Sequence, residues 1–83
     1  MLYPQHLVNL RVKEKAAVMN DPEVLAAEKK VNELIDGKGR ALLRESGTEP
    51  VIRIMIEAET LPLCEEYAEI IAKVIRERGH LSE

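Results

Sequence analysis

The sequence contains no tryptophan or phenylalanine, and Tyr3 and Tyr67 are its only aromatic residues. A base-stacking surface needs more rings than that, so nucleic acid is a poor candidate partner. Cysteine is almost absent as well. Cys64 stands alone, which excludes an internal disulfide and fits a reducing compartment, with the cytoplasm as the expected location. Near the start of a helix its thiol has either a packing role or a reactive one. No apolar run approaches the roughly 20 residues that cross a bilayer, and the N-terminus has no signal-peptide pattern, so no membrane is expected. The two aspartates, Asp21 and Asp36, lie too far apart for a loop of alternating aspartates around a metal. His6 and His80 sit near opposite ends with no third ligand at metal-like spacing, and both are expected to be solvated. No metal site is expected in the chain.

What remains is enough for one small domain. The 83 residues are 46% hydrophobic, so a packed core is expected over residues 1–83. The net charge is −3, but residues 38–53 carry Lys38, Arg40, Arg44 and Arg53 against Glu45 and Glu49. A basic spot on an acidic body suits a compact anion better than a long polyanion.

Taken in order, Met1–His6 reads as an extended lead-in. Val8, Leu10 and Val12 then alternate with Asn9, Arg11 and Lys13, as in a half-buried strand. Residues 14–20 read as a loop. Asn20-Asp21-Pro22-Glu23 is a helix start, with a capping side chain and proline in the first turn. Val24, Ala27, Val31, Leu34 and Ile35 form that helix's apolar stripe, and Gly37 and Gly39 end it. A second helix starts at Thr60, buries Leu63, Tyr67, Ile70, Ile71, Val74 and Ile75, and stops at Gly79. The rest of its surface, rich in glutamate, reads as solvated, and His80–Glu83 as a frayed tail.

Between the two helices, Ala41-Leu42-Leu43 and Val51–Ile56 flank Arg44-Glu45-Ser46-Gly47-Thr48-Glu49-Pro50. Two short apolar runs around a hydroxyl, a glycine, a hydroxyl and a proline read as a hairpin. The order is therefore β-α-β-β-α, an α+β domain whose sheet carries two helices on one face. The first helix is long enough for a crossover, which allows a mixed sheet.

A loop centred between Thr48 and Glu49 pairs Leu43 with Ile54, Ala41 with Ile56, Leu42 with Met55 and Arg44 with Arg53. Two arginines then face each other away from the core. Like charges across a ladder repel, and a bound dianion would reverse the sign of that term. Each guanidinium can donate two parallel hydrogen bonds to phosphate oxygens. Ser46 and Thr48 add hydroxyls, Gly47 permits a nest of N–H groups, and Pro50 fixes where the loop ends. By themselves these residues also describe a solubilising strand face with ordinary turn chemistry, and both readings stand. A Walker-type loop is excluded, because no Gly-Lys-Ser/Thr is present.

Arg44–Pro50, continued by Val51-Ile52-Arg53-Ile54-Met55-Ile56-Glu57, resembles the C-terminal phosphate-binding loop of the α-D-phosphohexomutases. Glu45 after the first arginine and the Arg-Ile-Met-Ile-Glu continuation point to the bacterial phosphoglucosamine mutase branch. The resemblance covers essentially the whole chain and implies the family's fourth domain, with a fold like that of the TATA-binding protein. It also implies that Arg44, Ser46, Gly47, Thr48 and Arg53 contact the substrate's phosphate, while Glu49 and Pro50 shape the loop. In the full enzyme it implies an isomerase acting as an intramolecular phosphotransferase. That enzyme would convert glucosamine 6-phosphate to glucosamine 1-phosphate for UDP-N-acetylglucosamine and cell-wall synthesis. A phosphorylated serine, a Mg2+ loop and a sugar-reading loop would come from the other domains, which are this domain's partners together with the phosphosugar.

None of those three parts is present here. The chain is expected to be a fragment, inactive alone, with no catalytic residue and no cofactor of its own. The alternatives are the same domain of a phosphomannomutase or phosphoglucomutase, or a stand-alone ligand-binding or interaction module. An exposed apolar patch on the open sheet face would favour the module, but that face carries Asn9, Arg11, Arg44 and Arg53. Met55 is placed there too, against a neighbouring domain or the loop.

Overall fold

The computed structural model describes residues 3–82. Its elements are β1 (Gln5–Arg11), α1 (Lys15–Met19), α2 (Pro22–Ile35), β2 (Arg40–Glu45), β3 (Val51–Glu57) and α3 (Leu61–Glu77). The strands form a sheet in the order β1-β3-β2, and both ladders are antiparallel. The expected allowance for a mixed sheet is therefore corrected. β1 and β2 do run parallel across the crossover, but β3 inserts between them, so no parallel ladder forms.

Ile52, Ile54 and Ile56 alternate along β3 and are fully buried. They meet Val24, Val31 and Ile35 of α2 and Ile71 and Ile75 of α3 in one core. Each such side chain contributes about 1.5–3 kcal/mol by leaving water. The opposite faces of the strands carry Asn9, Arg53 and Arg44, all exposed.

Residues 14–20, expected as loop, contain the short helix α1, whose Val18 is fully buried. Asn20 closes it by donating its side-chain amide to the Ala16 carbonyl at 2.8 Å. A helix of five residues is shorter than two turns, too short to display a period in sequence.

α2 begins as expected, with the Asp21 side chain accepting from the Glu23 N–H at 2.9 Å. It ends with Asp36 in the left-handed region, just before Gly37. Leu34 is half exposed and leaves the expected stripe, because Val24, Ala27, Val31 and Ile35 already fill the contact line. Gly39 has a φ of 129°, and a Cβ there would overlap the Glu57 carbonyl. Only glycine lets the chain enter β2 so close to the end of β3.

α3 is capped by Thr60 as read from the sequence, but it is rotated from the expected face. Cys64, Ala68, Ile71, Ala72 and Ile75 are buried, while Leu63, Tyr67, Ile70 and Val74 lie half-buried along the flanks. Cys64, Ala68 and Ala72 recur every four residues, and their small size lets the helix approach the sheet closely. Cys64 is a packing residue that donates its thiol to the Pro4 carbonyl at 3.3 Å.

The tail beyond α3 is pinned, not frayed. Leu81 bridges Val12, Lys13 N–H donates to the His80 carbonyl at 2.9 Å, and Ser82 N–H donates to the Arg11 carbonyl at 3.0 Å. These bonds use backbone groups on the outer edge of β1, which composition does not reveal. Neither histidine is simply solvated: His6 is half-buried on β1, and His80 lies 2.7 Å from Asp21 Oδ2. Glu83 lies outside the described residues, as does the start of the lead-in.

Candidate functional site

The hairpin is held by its edge strand before any ligand enters the picture. Asn32 of α2 donates to the Ala41 carbonyl at 3.1 Å and accepts the Ala41 N–H at 2.8 Å. Glu28, one turn earlier, accepts the Leu43 N–H at 3.0 Å. α2 thus supplies with side chains the partners that another strand would have supplied, and protects the edge. With β2 fixed on one side and β1 on the other, β3 cannot shift its register.

That register is the one read from the sequence: Ala41 faces Ile56, Leu42 faces Met55, Leu43 faces Ile54 and Arg44 faces Arg53. Asn9 lies on the other side of Arg53. The two arginines are exposed, and among the described residues neither has an ion-pair or hydrogen-bond partner. The neighbouring row, Leu7–Met55–Leu42, is apolar, with Leu7 exposed and the other two half-buried. The open face is therefore less uniformly polar than its arginines suggest, and Met55 lies in that row.

Five residues, Ser46–Pro50, join the strands. Ser46 N–H donates to the Val51 carbonyl at 2.9 Å, and Val51 N–H donates back to the Glu49 carbonyl at 2.8 Å. Pro50 stands between Glu49 and Val51, where its fixed φ suits so tight a turn. The Ser46 hydroxyl accepts the Glu49 N–H at 3.4 Å, which leaves its own hydrogen free to donate. Among the described residues, the Gly47 and Thr48 N–H groups have no acceptor. No residue of the loop has a positive φ, so a nest of the αR-αL kind is absent. Nothing lies within 4 Å of where a Cβ of Gly47 would stand, so the fold itself does not require glycine there.

Residues 11–15 brace the loop, a role the sequence reading missed. Val12 N–H donates to the Pro50 carbonyl at 2.8 Å, and Arg11 lies 3.5 Å from the Glu49 carboxylate. Lys15 Nζ donates to the Ser46 carbonyl at 2.6 Å. The contact spans 31 positions and leaves no local pattern to read.

A second polar cluster lies apart from the loop. The Asp21 side chain, 6% exposed, takes Arg78 Nε at 3.0 Å and His80 Nε2 at 2.7 Å on the same oxygen. A carboxylate only accepts, so His80 Nε2 carries the hydrogen. The hydrogen bond from Arg78, followed by that from His80, holds the Asp21 carboxyl well below the usual carboxylate range. The same pairing raises the Arg78 guanidinium. This cluster ties the start of α2 to the end of α3. Among the described residues, no group of three His, Cys, Asp or Glu side chains could hold a metal, and no helix is long and apolar enough to cross a membrane.

Comparison with known proteins gives this geometry a context. The family model for the phosphoglucomutase/phosphomannomutase C-terminal domain matches residues 7–74. The phosphoglucosamine mutase of Leuconostoc mesenteroides is 48% identical over 96% of the chain, and that of Exiguobacterium sibiricum 48% identical over 99%. The chain spans only 18% of the length of each. Among solved structures, Aspergillus fumigatus N-acetylphosphoglucosamine mutase in complex with GlcNAc-6P and magnesium superposes with a TM-score of 0.78 at 26% identity. That match covers 93% of this chain and 16% of the fungal one.

Proposed function

Because the chain belongs to the phosphoglucomutase/phosphomannomutase family, as its C-terminal domain, we propose that its hairpin holds a phosphate of the sugar substrate in a phosphoglucosamine mutase. The observation that carries this reading is the opposed, unpartnered pair Arg44 and Arg53 at the foot of a loop with unused donors. Two guanidinium groups, the Ser46 and Thr48 hydroxyls and the Gly47 and Thr48 N–H groups offer a dianion charge-assisted hydrogen bonds. The space beside Gly47 lets the ligand come close to the backbone. Glu49 sets the course of the loop through its contacts with Arg11 and Val51, and Pro50 through the hydrogen bond its carbonyl accepts from Val12.

On this reading the full-length enzyme is an isomerase that moves a phosphoryl group between the 6- and 1-positions of glucosamine phosphate. This domain grips the phosphate that is not being transferred. It thereby orients the reacting oxygen toward groups on the other domains. Ser46 has a binding role, since its hydroxyl meets a backbone N–H and no general base among the described residues. The full-length enzyme would take Mg2+ and a phosphorylated serine on its other domains. The acids among the described residues do not fit that ion: Asp21 is occupied by Arg78 and His80, and no three acidic, histidine or cysteine side chains come together. The apolar row Leu7–Met55–Leu42 beside the arginines would lie against a neighbouring domain. A buried free thiol at Cys64 suits the reducing cytoplasm, where we place the enzyme.

The test is an amide NMR titration of the chain with glucosamine 6-phosphate, with sulfate as a control. Shifts centred on Ser46, Gly47 and Thr48 and abolished in Arg44→Ala are expected. Shifts confined to other regions would sink the assignment.

A further inference from the structure

The loop contains an acceptor as well as donors, and an anion site has to deal with it. The Ser46 carbonyl belongs to the same peptide as the free Gly47 N–H, two residues beyond Arg44 in the chain. A carbonyl oxygen turned toward a phosphate would repel it. Here that oxygen accepts from Lys15 Nζ at 2.6 Å, across 31 positions of chain. Lys15 is half-buried at the start of α1, and α1 is anchored by the fully buried Val18. The ammonium is therefore carried by a packed element.

We infer that Lys15 is a positioning residue of the anion site: it holds the Ser46 carbonyl out of the ligand's way and brings a third positive charge to the loop. This rests on the phosphate reading given above. The charge balance supports it. The acids of the hairpin are Glu45 and Glu49, Arg11 at 3.5 Å already offsets Glu49, and Glu14, next to Lys15 in the chain, forms no ion pair with it among the described residues. Lys15 leaves Arg44 and Arg53 with their full donor sets. An ammonium has three hydrogens, and one hydrogen bond to Ser46 leaves two. The Ser46 N–H is committed to Val51 and the Glu49 N–H to the Ser46 hydroxyl. Holding the intervening carbonyl therefore fixes the peptide that carries the free Gly47 N–H.

The parent chain, Lys15→Met and Lys15→Arg are compared in two measurements, with unchanged amide spectra outside residues 11–15 and 44–51 reporting an intact fold. Without ligand, 15N relaxation at Ser46–Glu49 is expected to show a looser loop in Lys15→Met and a parent-like loop in Lys15→Arg. With inorganic phosphate, Lys15→Met is expected to weaken the dissociation constant about fivefold and Lys15→Arg to restore most of it. Restoration by the other cation marks the charged donor to the Ser46 carbonyl as the active feature, and a fall in phosphate affinity beyond the loosened loop is the readout that a tie serving only the fold would not move. A Lys15→Met loop as ordered as the parent's, with unchanged phosphate affinity, overturns the inference. If the parent shows no phosphate-dependent shifts, the phosphate reading fails, and the ligand-free order of the loop alone decides the role of Lys15.

Discussion

Arg44 and Arg53 are direct cross-strand partners on the open face of the sheet, and neither meets a carboxylate among the described residues. Opposed like charges destabilise a ladder, so this pair is a cost that the ligand-free fold carries. Replacing one of them should relieve that cost and, on the proposed phosphate reading, destroy the grip at the same time. Arg44→Gln is expected to leave stability within about 0.5 kcal/mol of the parent, or slightly above it, in urea denaturation at low salt. The same variant should lose the phosphate-induced shifts. A substantial loss of stability would mean that the arginine serves the fold.

The grip itself is expected to be weak in isolation. A few charge-assisted hydrogen bonds of about 1.5–3 kcal/mol each must offset association costs of about 4–15 kcal/mol. Phosphate affinity no tighter than about millimolar follows, equivalent to ~4 kcal/mol. Calorimetry returning a sub-micromolar constant would contradict this estimate.

Two glycines allow the fold and the proposed binding to be tested separately. Gly39→Ala should cost more than about 2 kcal/mol, because its Cβ would overlap the Glu57 carbonyl in a left-handed backbone. Gly47→Ala should be neutral in thermal denaturation, since the space there is open and the backbone is ordinary. Yet it should weaken phosphate binding by obstructing the approach. Equal effects of the two substitutions on stability would refute the distinction.

The edge of β2 offers a fourth test. Asn32→Ala removes both partners of Ala41 and leaves a buried N–H unpaired, at a cost of about 1–3 kcal/mol. The freed edge is also a template for strand pairing, so light scattering should show more self-association. An unchanged denaturation midpoint would show that the edge needs no such cover.

The Asp21 cluster makes stability depend on pH in a definite direction. Its folded-state pKa is depressed, so its contribution is fully present above the unfolded value of about 3.9 and declines as pH falls below it. Denaturation of the parent between pH 5 and pH 2 (chosen to bracket about 3.9) should show this loss, and Asp21→Asn should show a shallower dependence. Parallel profiles for the two proteins would exclude Asp21 as a source of the acid sensitivity.

Much of this was legible in the amino-acid sequence because it depends on local chemistry. Asp21-Pro22-Glu23 favours a helix start through its own side chains, Thr60 with Pro62 favours another, and the alternation through Leu43 and Ile54 allows one register that buries both strands. From that register the opposed arginines followed directly. The resemblance carried by Arg44–Pro50 supplied the family.

Tertiary structure decided what depends on residues far apart in the chain. Which face of α3 is buried was set by how closely Cys64, Ala68 and Ala72 let it approach the sheet, not by where its largest side chains fall. The tail was pinned by backbone groups on the outer edge of β1, and the fate of His80 was set by an aspartate 59 positions away. Periodicity reports neither. The same holds for the candidate site. Its arginines and hydroxyls could be named from spacing, but the Lys15 contact with Ser46 exists only because packing brings α1 against the hairpin.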